Sequence, residues 1–192
     1  MDLSGLLVPG AVILFICLLA FYLAYLFNRL VRFRNAADAN LGQIRVAMKK
    51  RLDMIEQLLG AVKGYVRHER EVFESVASMR AKVLGAGTTG LEEIDKESRS
   101  IAGGILAIAE AYPELKASET VKKLMDAIVS VEDEIARHRY TYNNVVQTFN
   151  TMVDSIPSNV VASSTGMEKL GYLEFEEKVE ARPDITGISG VE

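Results

Sequence analysis

Tryptophan is absent from this chain, cysteine occurs once, histidine twice and proline four times in 192 residues. One cysteine excludes an internal disulfide framework and every multi-cysteine zinc or iron–sulfur arrangement. A formal net charge of −4 excludes a globally basic nucleic-acid binder, so no nucleic-acid partner is expected. The length fits one ordinary domain with a short appendage and rules out a multidomain enzyme. With so few prolines, long stretches run without a helix breaker, and strand-like alternation is not what fills them.

Charge is also missing from one place in particular. Leu3 to Asn28 holds no charged residue, and Leu6, Leu7, Ile13, Leu14, Phe15, Leu18 and Phe21 lie in this run as its anchoring side chains. At about 1.5 Å per residue such a helix spans a hydrocarbon core of roughly 30 Å. A cleaved signal peptide carries positive charge before its apolar run, whereas here Asp2 precedes it and Arg29, Arg32 and Arg34 follow, so the anchor is expected to stay attached. Tyr22 and Tyr25 lie near the basic end, where aromatic rings suit the headgroup level. Arg45, Lys49, Lys50 and Arg51 extend the basic flank, opposed by Asp38 alone. The positive-inside rule then predicts a single-pass cell (inner) membrane protein with its N-terminus outside and its body cytoplasmic. Arg29, Arg32 and Arg34 serve as the topology and membrane-surface residues, and each basic residue near an anionic leaflet adds about 1 kcal/mol of attraction.

Past the span, apolar residues recur at three- and four-residue spacing through Leu41, Ile44, Met48, Ile55, Leu59, Val62, Val66, Phe73, Val76 and Val83. This periodicity predicts one helix from the membrane to about residue 84. The small residues from Gly85 to Gly90 then reverse the chain into a helical hairpin. A second helix runs through Ile94, Ile101, Ile105 and Ile108 and stops at Tyr112-Pro113. Ser118 is an N-cap candidate for a third, whose stripe from Val121 to Ile156 covers about five heptads, interrupted by His138, and stops at Pro157. The expected fold is all-α, an N-terminal transmembrane helix continuing into an antiparallel long-helix bundle. Its parts are an anchor over 1–28, the bundle over 29–160 and an acidic C-terminal tail over 161–192. In that tail Ala162 to Gly166 reads as a loop, Met167, Leu170, Tyr172, Leu173 and Phe175 as a segment fastened back onto the bundle, and residues after Pro183 as a frayed end.

Catalytic chemistry is not apparent. Gly85 to Gly90 spells G-x-G-x-x-G, but a dinucleotide site needs a strand before that motif and a helix precedes it here. No Gly-Lys-Ser or Gly-Lys-Thr follows, which removes a P-loop. Neither His68 nor His138 has a glutamate three residues before it, as di-metal helical bundles require. No catalytic, cofactor-binding or metal-ligating residue is assigned and no cofactor is expected. Asn143, Asn144 and Asn150 read as interhelical hydrogen-bonding groups, and Cys17 as a small apolar filler. Ala20 with Ala24, and Gly60 with Gly64, have the small-x-x-x-small spacing that lets helices approach closely, and are the self-association candidates. Gly60 and Gly64 read alternatively as a bend in the long helix.

A family resemblance rests on particular residues. The uncharged span is followed by Phe27-Asn28-Arg29-Leu30-Val31-Arg32-Phe33-Arg34-Asn35, then Met48-Lys49-Lys50-Arg51-Leu52-Asp53-Met54-Ile55 and Val62-Lys63-Gly64-Tyr65. Glu110-Ala111-Tyr112-Pro113-Glu114-Leu115-Lys116-Ala117, Arg139-Tyr140-Thr141-Tyr142-Asn143 and Phe149-Asn150 leading to Ile156-Pro157-Ser158-Asn159 complete the set. In this order they resemble the LemA family, whose magnetosome-associated MamQ-like branch shares the architecture. Ile156 departs from the aromatic residue usual before that proline, and Phe27 from the usual tyrosine. The resemblance implies a small prokaryotic membrane protein with one N-terminal helix, an antiparallel helical domain and no established catalytic residues. The expected function is a non-enzymatic scaffold that self-associates as a homo-oligomer and organises or shapes the lipid bilayer. The alternative is an adaptor that docks a protease or signalling protein partner.

Overall fold

The computed structural model describes residues 3–65 and 69–174, with side chains from Pro9 onward in the first helix and from Arg70 in the second. The side chains of Leu6 and Leu7, the histidine at 68, and the tail from Phe175, including its expected frayed end, lie outside the described residues. Six helices and no strand occur among the described residues: α1 (Leu3–Ala61), α2 (Glu69–Val83), α3 (Thr88–Ala111), α4 (Pro113–Lys116), α5 (Glu119–Asp154) and α6 (Ser158–Ser164).

The helix expected to reach residue 84 stops at Ala61. Gly64 adopts φ = 91°, a backbone conformation that opposes a Cβ, and Tyr65 N–H bonds back to Val62 O at 3.0 Å. The chain reverses there, and α2 returns alongside α1 with Arg80 bridging to Asp53 at 2.6 Å and to Glu56. The hairpin foreseen at Gly85–Gly90 is present but shorter, and it joins α2 to α3. Gly87 is the N-cap of α3 and Gly90 lies inside the helix. Consequently α3 runs parallel to α1, and Tyr65 meets Tyr112 edge-to-face with ring centroids 5.0 Å apart at the far end. Tyr112 leaves the helical region before Pro113, and the Ser118 hydroxyl accepts from Val121 N–H to cap α5, both as anticipated.

The second half of α1 forms with α2, α3 and the first half of α5 an up-down-up-down bundle. Ile44, Leu52, Ile55, Val76, Leu91, Val131 and Ile135 share its core. α5 continues down α1 past the other helices. Near its end a second, smaller core joins Leu26 and Leu30 of α1 to Phe149, Met152, Val161 and Ala162. Residues 162–166, expected as a loop, instead lie mostly in α6, which packs against α1 through that core. Leu30 and Phe149 are fully buried in this collar, and burying a side chain of this size is worth about 1.5–3 kcal/mol.

Candidate functional site

Above the collar nothing among the described residues covers α1. Ile13, Leu14, Phe15, Leu18 and Phe21 are exposed, Phe21 by 77%, as are Ala20 and Ala24 between them. Only 6% of the most apolar 18-residue window is buried. Burying a CH₂ group is worth about 0.8 kcal/mol, so an apolar rod of this size, bare on every side, is stable only in a medium that is itself apolar. Length and composition suit a membrane crossing.

The basic flank divides in two. Arg29, Arg32 and Arg34 are exposed directly below the span, with the Arg29 guanidinium 5.8 Å from the centroid of the Phe33 ring. Arg45, Lys49, Lys50 and Arg51, grouped with them in the sequence, are engaged by groups of the bundle, Lys50 on its exposed surface and Arg51 in its interior. Arg45 Nε donates to Ala86 O at 2.9 Å, Lys49 pairs with Asp53 at 3.3 Å and Lys50 with Glu134 at 3.2 Å. Arg45 is also about 24 Å along the helix from Arg29, well beyond a Debye length of ~8 Å.

Arg51 is the most unusual of these groups, with 0% exposure in the middle of the bundle. Its Nη2 lies 2.8 Å from Asp95 Oδ1 and donates to Ser98 Oγ at 2.5 Å, and Ser98 donates onward to Ile94 O. Arg99 Nε meets the other Asp95 oxygen at 2.8 Å, and Glu132 stands 3.9 Å from Arg51 and 3.8 Å from Arg99. Desolvation lowers the Arg51 pKa, and the Asp95 carboxylate partly restores it. Two cations and two anions thus tie α1, α3 and α5 together with no net charge. Among the described residues no group of three or more His, Cys, Asp and Glu is placed to hold a metal ion. Beside this cluster α3 and α5 flank a cleft of ≈ 1550 Å³, whose lining includes Arg99, Glu132 and the apolar Leu106, Met125 and Val129.

The profile of the LemA family matches residues 40–186. The chain belongs to the LemA family. It is 25% identical over 179 residues to magnetosome protein MamQ 2 of Paramagnetospirillum magneticum, covering 79% of this chain and 65% of that protein. It is 26% identical over 161 residues to protein LemA of Metamycoplasma hominis, covering 82% of this chain and 74% of that one. MamQ of Magnetospirillum gryphiswaldense is 24% identical, with 79% and 65% covered. The chain therefore spans just under two thirds of the MamQ proteins' length. Family membership and the bare apolar helix together make this LemA-family chain membrane-associated.

Sequence reasoning placed several groups of this LemA-family fold correctly and others not. Gly60 and Gly64 do not share a helix face, because α1 ends between them, and the bend they were alternatively assigned is the reversal. His138 is half-buried on α5. Asn143 and Asn150 bond not to another helix but to an extended strap, residues 167–174. Asn150 donates to Leu170 O and accepts from Leu170 N–H, both at 2.9 Å, and Asn143 does the same with Leu173. Each amide thereby satisfies a backbone donor and acceptor that have no strand partner. Tyr142 donates to Gly171 O at 2.8 Å between the two clamps, and Leu173 is buried in the main core. Burial raises the Tyr142 pKa, with Asp38 adding to the rise and Arg45 opposing it. The strap's use of Leu170 and Leu173 was anticipated, whereas Tyr172 is exposed and Phe175 lies outside the described residues.

Proposed function

We propose that this LemA-family chain is a membrane-anchored, non-enzymatic scaffold that self-associates and organises or shapes the bilayer beside it. The observation that carries the reading is α1 itself. One unbroken helix of 59 residues, about 88 Å long, begins as a bare apolar rod and ends as the central strut of a packed bundle. Arg29, Arg32 and Arg34 at the exit of the rod support a cytoplasmic bundle and an outside N-terminus in the inner membrane. Ala20 and Ala24, exposed within the span, support lateral contact between copies. Relatives bearing the name magnetosome protein support work in an organised cellular structure.

The test is particle mass for the full chain in lipid nanodiscs and in detergent, over a wide concentration range. Oligomers weakened by Ala20→Leu with Ala24→Leu are expected; a strictly monomeric particle throughout rejects the scaffold. The cleft between α3 and α5 favours a second reading, an adaptor that holds a protease or signalling partner against an apolar floor between charged rims. For that reading, Leu106→Glu with Val129→Glu removes partner capture while leaving self-assembly intact.

A further inference from the structure

The corner between α5 and α6 has a surface unlike the rest of the bundle. Ile156, in the turn before α6, is 85% exposed, and Val160, in its first turn, is 60% exposed. From Ser155 to Met167 there is no charged residue, in a chain where a quarter of all residues are charged. Four of its hydroxyls bond to nearby backbone carbonyls. Ser158 donates to Ser155 O at 2.9 Å, Ser163 to Val160 O at 3.1 Å, Ser164 to Val161 O at 2.9 Å and Thr165 to Val161 O at 2.8 Å. A corner built for water would display charges there and keep isoleucine covered. This one bonds four of its hydroxyls to its own backbone and offers Ile156 and Val160 outward.

Position decides what it is offered to. α5 runs antiparallel to α1, with Glu134 opposite Lys50 and Glu132 near Arg51 in mid-bundle. Both helices rise about 1.5 Å per residue, so that register carries the end of α5 at Asp154 to the level of Arg29 and Leu30. The contacts agree, because Met152, Val161 and Ala162 share the small core with Leu26 and Leu30. Ile156, two residues beyond the end of α5, therefore lies close to the level of Arg29, at the foot of the bare apolar surface of α1.

We propose that the α5–α6 corner is a second membrane contact, in which Ile156 and Val160 enter the headgroup–acyl boundary of the leaflet from which α1 emerges. The occupant of this surface is lipid, since the patch is uncharged and its corner packs through Val161 and Ala162 on Leu26 and Leu30, at the boundary of the span. The proposal rests on the reading of α1 as a membrane-spanning anchor. With it the bundle touches the bilayer at two points, and it stands against the membrane rather than swinging from a single stalk.

The experiment uses the full chain in vesicles of phosphatidylcholine and phosphatidylglycerol, with one environment-sensitive NBD label per protein. The labelled positions are native Cys17 and, in a Cys17→Ala background, Ile156→Cys, Val160→Cys and Tyr140→Cys, the last on an exposed mid-bundle surface. Lipids carrying nitroxide on the acyl chain report membrane contact, and aqueous dithionite reports access from water. Expected are blue-shifted emission, loss of fluorescence to the nitroxide and slow reduction by dithionite at 17, 156 and 160, with Tyr140→Cys open to water and unquenched. Quenching at 17 with water-exposed labels at 156 and 160 overturns the second contact and leaves the anchor standing. Labels at 156 and 160 that resist dithionite without nitroxide quenching mean that a second copy covers the corner, which also overturns it. Absence of quenching at both 17 and 156 removes the anchor reading, and this proposal with it.

Discussion

Replacing Asp95 with asparagine keeps the shape of the Arg51 site and removes its main counter-charge. Arg51 is fully buried, and its Nη2 lies 2.8 Å from Asp95, whose side chain is 3% exposed. At an effective dielectric of about 20 this attraction is worth roughly 6 kcal/mol, but bringing each ion out of water costs several kcal/mol. Among the described residues, Arg51 Nε and Nη1 find no acceptor at hydrogen-bond distance, so the pair is not generously compensated. The intact pair is therefore expected to sit close to neutral in stability, while breaking it from one side is costly. Asp95→Asn should destabilise by about 3 kcal/mol, at the low end of the range for a broken buried pair because Glu132 remains nearby. Arg51→Met combined with Asp95→Leu should return within about 1–2 kcal/mol of the parent, or exceed it. Urea titration of the full chain in mild detergent, followed by far-ultraviolet circular dichroism, reads both. With an m-value of about 1–3 kcal/mol/M, the single variant lowers the midpoint by about 1–3 M. A single variant indistinguishable from the parent would show that Arg51 is not desolvated. A double variant as unstable as the single one would show that the charges themselves stabilise the bundle.

The strap offers two further tests. Asn150→Ala deprives Leu170 of a donor and an acceptor at once and should cost about 1–3 kcal/mol, with faster hydrogen exchange at the Leu170 amide; unchanged protection there argues against the clamp. Tyr142 has a folded pKa raised above its ordinary value of about 10, so its contribution is complete below that pH and is lost as pH rises through the folded value. Stability should therefore fall in strongly alkaline solution, and Tyr142→Phe should flatten that fall while costing about 0.5–1.5 kcal/mol at neutral pH. A parent and a Tyr142→Phe variant with the same alkaline slope would assign the fall to other groups.

Local signals in this chain were legible wherever one residue type dictates the backbone. Pro113 forces Tyr112 out of the helix, Ser118 caps α5, and the glycines after Leu84 turn the chain without needing any distant partner. The reversal after Ala61 was concealed because the apolar spacing from Val62 to Val76 continues in step across it, and periodicity alone does not report a break that preserves phase. Gly60 and Gly64 were the signal available, and they admitted two readings. Arg51 was counted with the basic flank because its burial depends on Asp95, Ser98 and Glu132, which are brought to it only when α3 and α5 pack. The asparagines were recognised as hydrogen-bonding groups, but their partner is a strap whose extended backbone has no periodic signature. Of the candidate site, the apolar run and the three arginines below it were plain in the sequence. The collar at its base, where α6 meets α1, emerges only from the packing of Phe149 against Leu30.

Since α1 has no joint between Phe27 and Ala61, any lean of the anchor is a lean of the whole body. That stretch is about 51 Å long, so a change in tilt of roughly 10°, well inside the range adopted by membrane helices, sweeps the far end by roughly 9 Å. Local bilayer thickness would thus be translated into the reach and bearing of a lever, and neighbours on a thinner or thicker patch would point their tips differently.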